Sequence, residues 1–158
     1  MRISVKNTIT GQKIEKPEPI DIEIPFDGGV MITETDTNGI ITYANRKFID
    51  MIGYTKQELV GSSHNINRHP DMPKAIYKDM WKNLKAGNSW EGYVKNLCHD
   101  GTYYNVLISI KPKFNDAGEI IGYICGRKIA NETLMKQALR QYKMILEKEM
   151  NTNAMFHL

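Results

Sequence analysis

Side chains that can form directional hydrogen bonds are concentrated in one short stretch. It contains two imidazoles, a guanidinium, a carboxylate and two amides, and it reads His64-Asn65-Ile66-Asn67-Arg68-His69-Pro70-Asp71-Met72-Pro73. Its two prolines fix φ and remove N–H groups, so the backbone there is stiff. A segment with helical spacing that carries Trp81 follows directly. A rigid polar loop beside an aromatic helix favours binding of a planar ligand with a polar edge over catalysis.

The charged residues of this loop each allow two interpretations. Arg68 could hold a phosphate or a ring carbonyl through its planar fork, or it could form a surface ion pair with Asp71. His69 and Asp71 could form a pair in which the carboxylate orients the imidazole, or they could brace the loop. Asp71 is also suited to cap the following helix. His64, His69 and Asp71 lack the spacing that would fix metal-ligand geometry, so no metal site is predicted.

Aromatic and amide side chains outside the loop are further candidates. Trp81 and Trp90 offer flat apolar faces for a ring, although core packing is the alternative role. The Asn96 amide could bind the polar edge of a ring, or it could sit in a turn at the end of a strand. Asn45 follows a predicted strand, where its default role is to cap the next helix.

Composition and motifs exclude several classes of protein. The net charge of +3 is scattered and no basic stripe is present, so a nucleic-acid-binding protein is not predicted. No apolar run reaches the roughly 18 residues that span a bilayer, and no signal peptide is visible, so no direct membrane insertion is expected. The two cysteines are far apart, which fits a reducing cytoplasm. Nucleophile elbow, P-loop and paired acids are all missing, so an enzyme is not expected.

Two hairpin strands and two short helices precede the loop. The strands are predicted over Val30–Thr35 and Ile40–Tyr43, with Asn38-Gly39 between them in a type I′ turn. Helical spacing follows, with Gly53 as its left-handed end. Thr55 and Glu58 have the capping-box pattern that begins a second short helix.

A helix, three strands and a last helix follow the loop. The helix is predicted to begin at Asp71 or Met72-Pro73 and to end at Gly87. The last helix begins at Asn131, runs to about Met150 and carries an apolar stripe at coiled-coil spacing. The predicted strands are Trp90–Cys98, Thr102–Ile110 and Ile120–Lys128.

These elements predict an α+β fold. Five strands form one antiparallel sheet with helices on one face, plus a C-terminal helix. A pocket is expected between sheet and helices, with the polar loop at its rim. We expect residues 1–25 to be an N-terminal extension, partly strand-like over Ile20–Ile24. Residues 26–130 are expected to form the domain, and residues 131–158 a signalling or interaction helix.

Several sequence motifs resemble those of the PAS family. The generic motifs are Asp36–Asn45, Gly53–Gly61 and Asp100-Gly101. More specific segments resemble the FAD-binding PAS domains of aerotaxis receptors, from about Val30 to Lys128. These segments are His64-Asn65, Arg68–Ala75, Asp79–Trp81 and Trp90–Asn96.

The resemblance implies a PAS fold that binds FAD non-covalently and senses redox state for aerotaxis or energy taxis, without turnover of a substrate. Carried over position by position, the residues linked to flavin binding or signalling are Asn45, Arg68, His69, Asp71, Asp79, Trp81, Trp90 and Asn96.

The expected partner follows from the same resemblance. The chain has no transmembrane anchor and no long methyl-accepting helices, so its output is expected to pass to a membrane-bound methyl-accepting chemotaxis receptor or its signalling domain. We expect a cytoplasmic protein that reaches the membrane only through that partner. A homodimer is a further possibility.

Other ligands remain open. A haem PAS domain could use His64, His69 or His99 as axial ligand. Another small ligand, or a cofactor-free dimerisation module, would keep the same fold. A cysteinyl-flavin photocycle of the LOV type is not expected, because Cys98 and Cys125 both fall on predicted strands.

Overall fold

A computed structural model of the chain describes residues 3–156, with side chains described for residues 3–152. A 3-10 helix, His64–Asn67, lies within the polar loop. The strands are β1 (Ser4–Lys6), β2 (Lys13–Glu15), β3 (Ile32–Thr35), β4 (Ile41–Ala44), β5 (Trp90–Leu97), β6 (Tyr103–Phe114) and β7 (Ile120–Ile129). The α-helices are α1 (Arg46–Ile52), α2 (Lys56–Leu59), α3 (Lys74–Lys85) and α4 (Glu132–Phe156).

Five of the strands form one antiparallel sheet, as predicted. Its order is β4-β3-β7-β6-β5, so the first hairpin lies beside the last strand of the chain. Ile32 of β3 is opposite Gly126 of β7, and Trp90 of β5 is opposite Ile110 of β6. Apolar side chains of the sheet pack against the helices, with Phe48, Leu84 and Val106 completely buried. The predicted α+β fold class is confirmed.

The turn between β3 and β4 differs from the prediction. Gly39 has φ of 79°, whereas no residue other than glycine has positive φ in the part of the chain that the structure describes. The type I′ turn, which requires positive φ at Asn38 as well, is therefore wrong. The Asp36 carboxylate accepts hydrogen bonds from the amides of Asn38 and Ile40, at 2.8 and 3.0 Å. These bonds stabilise a longer turn with a single left-handed residue.

Helix ends in the first half of the domain follow the predicted local chemistry. Asn45 caps α1 by accepting a hydrogen bond from the Phe48 amide at 3.1 Å, and Gly53 ends α1 with φ of 87°. Thr55 and Glu58 form the predicted capping box of α2. These contacts connect residues no more than four positions apart, so the sequence alone could predict them.

The first turn of α3 is capped by a residue far along the chain. Asp71 does not cap it. Instead, the Glu149 carboxylate accepts hydrogen bonds from the amides of Lys74 and Ala75, each at 3.0 Å. Glu149 belongs to α4, so the C-terminal helix supplies the negative charge that the N-terminus of α3 favours.

The last helix begins where the sequence predicted and continues further. Asn131 accepts a hydrogen bond from the Leu134 amide at 3.0 Å, and the helix extends to Phe156 rather than to about Met150. Its apolar stripe packs on the domain, since Met135 and Tyr142 are buried. The Tyr142 hydroxyl donates a hydrogen bond to the Tyr93 carbonyl of β5 at 2.7 Å. Among residues 3–156, no helix combines the length and apolarity that crossing a lipid bilayer requires.

The N-terminal segment contains a hairpin that the sequence analysis missed. β1 and β2 pair antiparallel, and Val5 and Ile14 are buried. The strand expected over Ile20–Ile24 is reduced to a single bridge between Glu23 and Tyr103.

Asn7 fastens this hairpin to the domain. It is completely buried, and its side-chain amide donates to the Val60 and Gln57 carbonyls at 2.9 and 3.1 Å. Its side-chain oxygen accepts from the amides of Ile9 and Thr10, both at 2.9 Å. One side chain therefore satisfies backbone groups of the hairpin, of α2 and of the residue after α2.

We expect Asn7→Ala to lower the free energy of unfolding by about 1–3 kcal/mol, because buried backbone groups lose their partners. Urea denaturation measures the change. Gln12→Ala is the matched control, since Gln12 lies in the same hairpin with an exposed side chain. Equal stabilities of the two variants would contradict the anchoring role of Asn7.

Candidate functional site

A cavity of about 450 Å³ lies between the sheet and α3. This volume falls within the range of small-molecule sites. The inner faces of β3, β5, β6 and β7 form one wall, and α3 with the polar loop forms the other. The lining residues are Thr33, Thr35, Thr37, Asn38, Gly39, Ser63, His64, Asn65, Asn67, Arg68, Tyr77, Met80, Trp81, Leu84, Lys85, Val94, Asn96, Ile108, Ile110, Tyr123, Cys125 and Arg127.

The aromatic part of the cavity comes from helical spacing on α3. Tyr77, Met80, Trp81 and Leu84 follow the i, i+3, i+4, i+7 pattern that puts side chains on one helix face. The Trp81 indole meets the Tyr123 ring edge-on, with centroids 5.3 Å apart. The cavity therefore has an aromatic surface that contacts between helix and strand hold in place.

Arg68 and Asn96 bring polar groups to the same cavity. The Arg68 guanidinium stacks on the Tyr77 ring at 4.2 Å, and no ion pair joins it to Asp71. The backbones of Arg68 and Asn96 are joined by an antiparallel bridge, which fixes the loop against β5. The Asn96 side-chain amide donates to the Tyr104 hydroxyl at 3.3 Å.

His69 and Asp71 are brought together within the loop, and the Asp71 backbone rather than its carboxylate orients the imidazole. The imidazole Nδ1 accepts a hydrogen bond from the Asp71 backbone amide at 3.0 Å, and this bond orients the ring. The Asp71 carboxylate lies 3.8 Å from Nδ1 and pairs with Lys95 at 3.0 Å. Burial lowers the pKa of His69, and the Lys95 cation lowers it further. The ring is therefore neutral, with its proton on Nε2.

His69 lines a second cavity of about 440 Å³, between the N-terminal segment, the polar loop and α4. Lys16 lies there with 7% of its surface exposed, and its Nζ donates to the carbonyls of Asn65 and Arg68 at 2.8 and 2.7 Å. Burial and the nearby Arg68 lower the pKa of Lys16 to about 8. The N-terminal segment thus holds the loop backbone from outside the main cavity.

The other candidate residues lie apart from the main cavity. The Trp90 indole donates to the Asp79 carboxylate at 3.0 Å, so these two residues form a pair of their own. Asn45 caps α1, donates to the Val30 carbonyl and accepts from the Ile32 amide. Of the eight candidates, only Arg68, Trp81 and Asn96 line the main cavity.

The sequence analysis missed Arg127, a buried cation of β7 that lines the cavity with 5% of its surface exposed. Its guanidinium donates to the Thr33 hydroxyl at 2.8 Å, to the Cys125 carbonyl at 2.9 Å and to His64 Nε2 at 3.2 Å. It also lies 4.7 Å from the Phe48 ring. One signal was available, since a charged side chain on the inward face of a central strand is uncommon.

His64 continues the same network. Because Nε2 accepts from Arg127, Nδ1 carries the proton and donates to the Asn67 side-chain oxygen at 3.1 Å. Burial and the Arg127 charge lower the pKa of His64 to about 4, so the ring is neutral near pH 7. Two donors beside this network, Arg127 Nε and Asn67 Nδ2, are buried without a protein partner.

These contacts bear on the alternative ligands. His64 is the one haem-ligand candidate that lines the main cavity, and both its ring nitrogens are already bound within the protein. No group of three metal-ligating side chains occurs in the described part of the chain. Cys125 lines the cavity from β7, and burial raises the pKa of its thiol.

Comparison with known proteins gives one family. The family model described as PAS fold matches residues 28–128. The aerotaxis receptor of Escherichia coli (strain K12) is 40% identical over 119 residues, which are 75% of this chain and 23% of the receptor. The nitrogen fixation regulatory protein of Klebsiella pneumoniae is 29% identical over 149 residues, which are 94% of this chain and 30% of that protein. The chain thus spans less than a third of the length of these two relatives.

A solved structure has the same fold. The light-state structure of the LOV domain of the blue-light photoreceptor Aureochrome1 has a TM-score of 0.63, with 70% of this chain and 89% of that chain covered. At 19% identity this similarity concerns the fold alone. The match to the family model over most of the chain, with the five-stranded sheet and the cavity beneath α3, shows that the chain belongs to the PAS family.

Proposed function

We propose that this chain is a cytoplasmic FAD-binding redox sensor for aerotaxis or energy taxis. The observation that carries the proposal is the pair of buried, unpartnered donors, Arg127 Nε and Asn67 Nδ2, in a cavity with the Trp81 indole. Buried donors normally have partners, so these two indicate a ligand with acceptor atoms. The 40% identity to the Escherichia coli aerotaxis receptor supports the choice of ligand and pathway.

The cavity residues fit a flavin. Trp81 and Tyr77 would contact the ring system, Asn67 and Asn96 would bind its polar edge, and Arg68 would bind a carbonyl or a phosphate. FAD, when bound, supplies reversible electron transfer. The remaining candidates are assigned a supporting role: His69, Asp71, Asp79, Trp90 and Asn45 fix the loop, the α3–β5 contact and α1.

Sensing without turnover agrees with the chemistry of the side chains. Burial raises the pKa of the Cys125 thiol, which keeps it protonated and unreactive near pH 7. Arg68 and Asn96 are placed to bind and orient a ligand. We therefore propose that the protein is not an enzyme and that its output is a change of shape.

The C-terminal helix is the proposed output element. α3 lines the cavity on one side and is capped by Glu149 of α4 at its N-terminus. A rearrangement of cavity side chains that shifts α3 would therefore change how α4 docks. Leu134, Met144 and Met150 of α4 are exposed apolar side chains that could contact another protein. The proposed partner is a membrane-bound methyl-accepting chemotaxis receptor or its signalling domain, with a homodimer as the alternative.

We expect the purified protein to show the visible absorption of a flavin or to take up added FAD. Trp81→Phe should raise the Kd for FAD by about threefold to tenfold, because part of the ring contact is lost. Fluorescence titration measures the Kd. Trp90→Phe is the matched control and should have a smaller effect, because that indole lies outside the cavity. A colourless protein that takes up no FAD would refute the proposal.

We expect Glu149→Ala to loosen both the first turn of α3 and the end of α4. Loss of a charged cap should lower the free energy of unfolding by about 0.5–2 kcal/mol. Hydrogen exchange should become faster at Lys74 and Ala75, the amides that Glu149 binds. The exposed Glu147 of the same helix provides the control, Glu147→Ala. Unchanged exchange at these amides would argue against the coupling of the two helices.

The buried His64 predicts a loss of stability in acid. The pKa of His64 is about 4 in the folded protein, whereas an unburied histidine has a pKa of 6.5. Between these two pH values the unfolded chain therefore binds more protons than the folded chain. The free energy of unfolding should therefore fall by about 3 kcal/mol as the pH decreases through this window, and lose no more from this group below it.

Urea denaturation at several pH values measures this slope. His64→Gln should make it shallower, whereas His99→Gln should not, because His99 is exposed. A slope that is the same in wild type and His64→Gln would contradict the assignment of a neutral, buried His64.

A further inference from the structure

Arg127 is a buried cation with no counter-ion among the described residues. Its side chain is 5% exposed, and the ion pairs of residues 3–152 do not include it. The groups that accept its hydrogen bonds are the Thr33 hydroxyl, the Cys125 carbonyl and His64 Nε2. All three are uncharged, since His64 is held neutral by burial. A buried charge is normally paired, because its desolvation is costly otherwise.

The uncompensated charge faces the ligand cavity. Successive side chains of a strand alternate between the two faces, so Arg127 shares a face with Cys125 and Tyr123. All three residues line the cavity. The Nε donor of Arg127 is buried and has no hydrogen-bond partner in the protein, so the guanidinium is incompletely compensated.

The other charged residue of β7, Lys128, has a different environment from Arg127. Lys128, the next residue, points to the opposite face and is exposed to solvent. Solvent screens that charge, whereas the Arg127 charge acts through the interior of the protein, where electrostatic interactions are much stronger. Arg127 is therefore the charge of β7 that a ligand in the cavity would experience.

We propose that Arg127 makes this cavity prefer a ligand that gains negative charge, and that it raises the midpoint potential of bound FAD by this preference. The inference rests on the proposed FAD binding. Two electrons from an external reductant and one proton from solvent leave the flavin ring with one net negative charge. That negative charge would be the counter-ion that Arg127 lacks among the described residues. The oxidised ring is neutral and benefits less, so the reduced form binds more tightly.

The test compares the Kd for oxidised and for reduced FAD in the 158-residue chain, with dithionite as the reductant under anaerobic conditions. Arg127→Gln should weaken binding of the reduced form about tenfold more than binding of the oxidised form. For a two-electron couple, this corresponds to a midpoint potential that is lower by about 30 mV. Arg127→Lys retains the charge and should shift the potential less.

Lys128→Gln is the matched control, because it removes the same charge one residue away on the exposed face. It should leave the ratio of the two Kd values unchanged. Arg127→Met is a second neutral variant in case Arg127→Gln does not fold, since Met is a flexible apolar side chain that can pack beside the Phe48 ring that the guanidinium contacts.

The outcomes separate the two proposals. If wild-type protein binds no FAD, both proposals are wrong. If it binds FAD but neutral variants of Arg127 lose affinity equally for both forms, or lose none, the charge preference is overturned while FAD binding stands. A selective loss for the reduced form in a neutral variant, absent in Lys128→Gln, supports the inference.

Discussion

A chain of hydrogen bonds from Asn67 through His64 to Arg127 and Thr33 joins the polar loop to two central strands of the sheet. Ile66 and Met72 bury the apolar side of the loop, and this network adds the polar contacts that hold it to the sheet. The cavity beneath α3 lies beside this network, with the Arg127 side chain in its wall.

The loop is held from outside as well. Lys16 donates to the carbonyls of Asn65 and Arg68, so the N-terminal segment fastens the backbone of the 3-10 helix and the residue after it. Glu149 fastens the point at which the loop becomes α3. The elements before and after the sheet therefore meet at the same loop. The loop that lines the cavity is therefore also the place where both flanking elements are attached.

The two arginines that line the cavity are held in different ways. The Arg68 guanidinium stacks on the Tyr77 ring, whereas the buried Arg127 guanidinium donates three hydrogen bonds in the interior. His64 and His69 are both kept neutral by burial. A buried positive charge whose hydrogen-bond partners are all neutral favours ligands that carry negative charge.

The sequence by itself determined the features that arise from neighbouring residues. The cap of α1 by Asn45, the capping box of Thr55 and Glu58, and the left-handed end at Gly53 each depend on contacts within four positions. The period of the apolar residues likewise indicated the five strands and the face of α3, and hence an α+β fold with a pocket between sheet and helices. The PAS family itself was indicated by the resemblance of the sequence motifs. One local prediction was wrong. The Asn38-Gly39 pair suggested a type I′ turn, but hydrogen bonds to the Asp36 carboxylate stabilise a different turn.

Only the tertiary structure decided which polar side chains meet. Glu149 caps α3 across 75 positions, Lys16 binds the loop across 49 and Arg127 reaches Thr33 across 94. Such contacts depend on the order of strands in the sheet and on the docking of α4, which composition and periodicity do not encode. For the same reason Asp79 and Trp90, placed near the cofactor by resemblance, pair with each other outside the cavity. The position of a buried charge is set by the folded chain as a whole, because its energy depends on every group that replaces water around it.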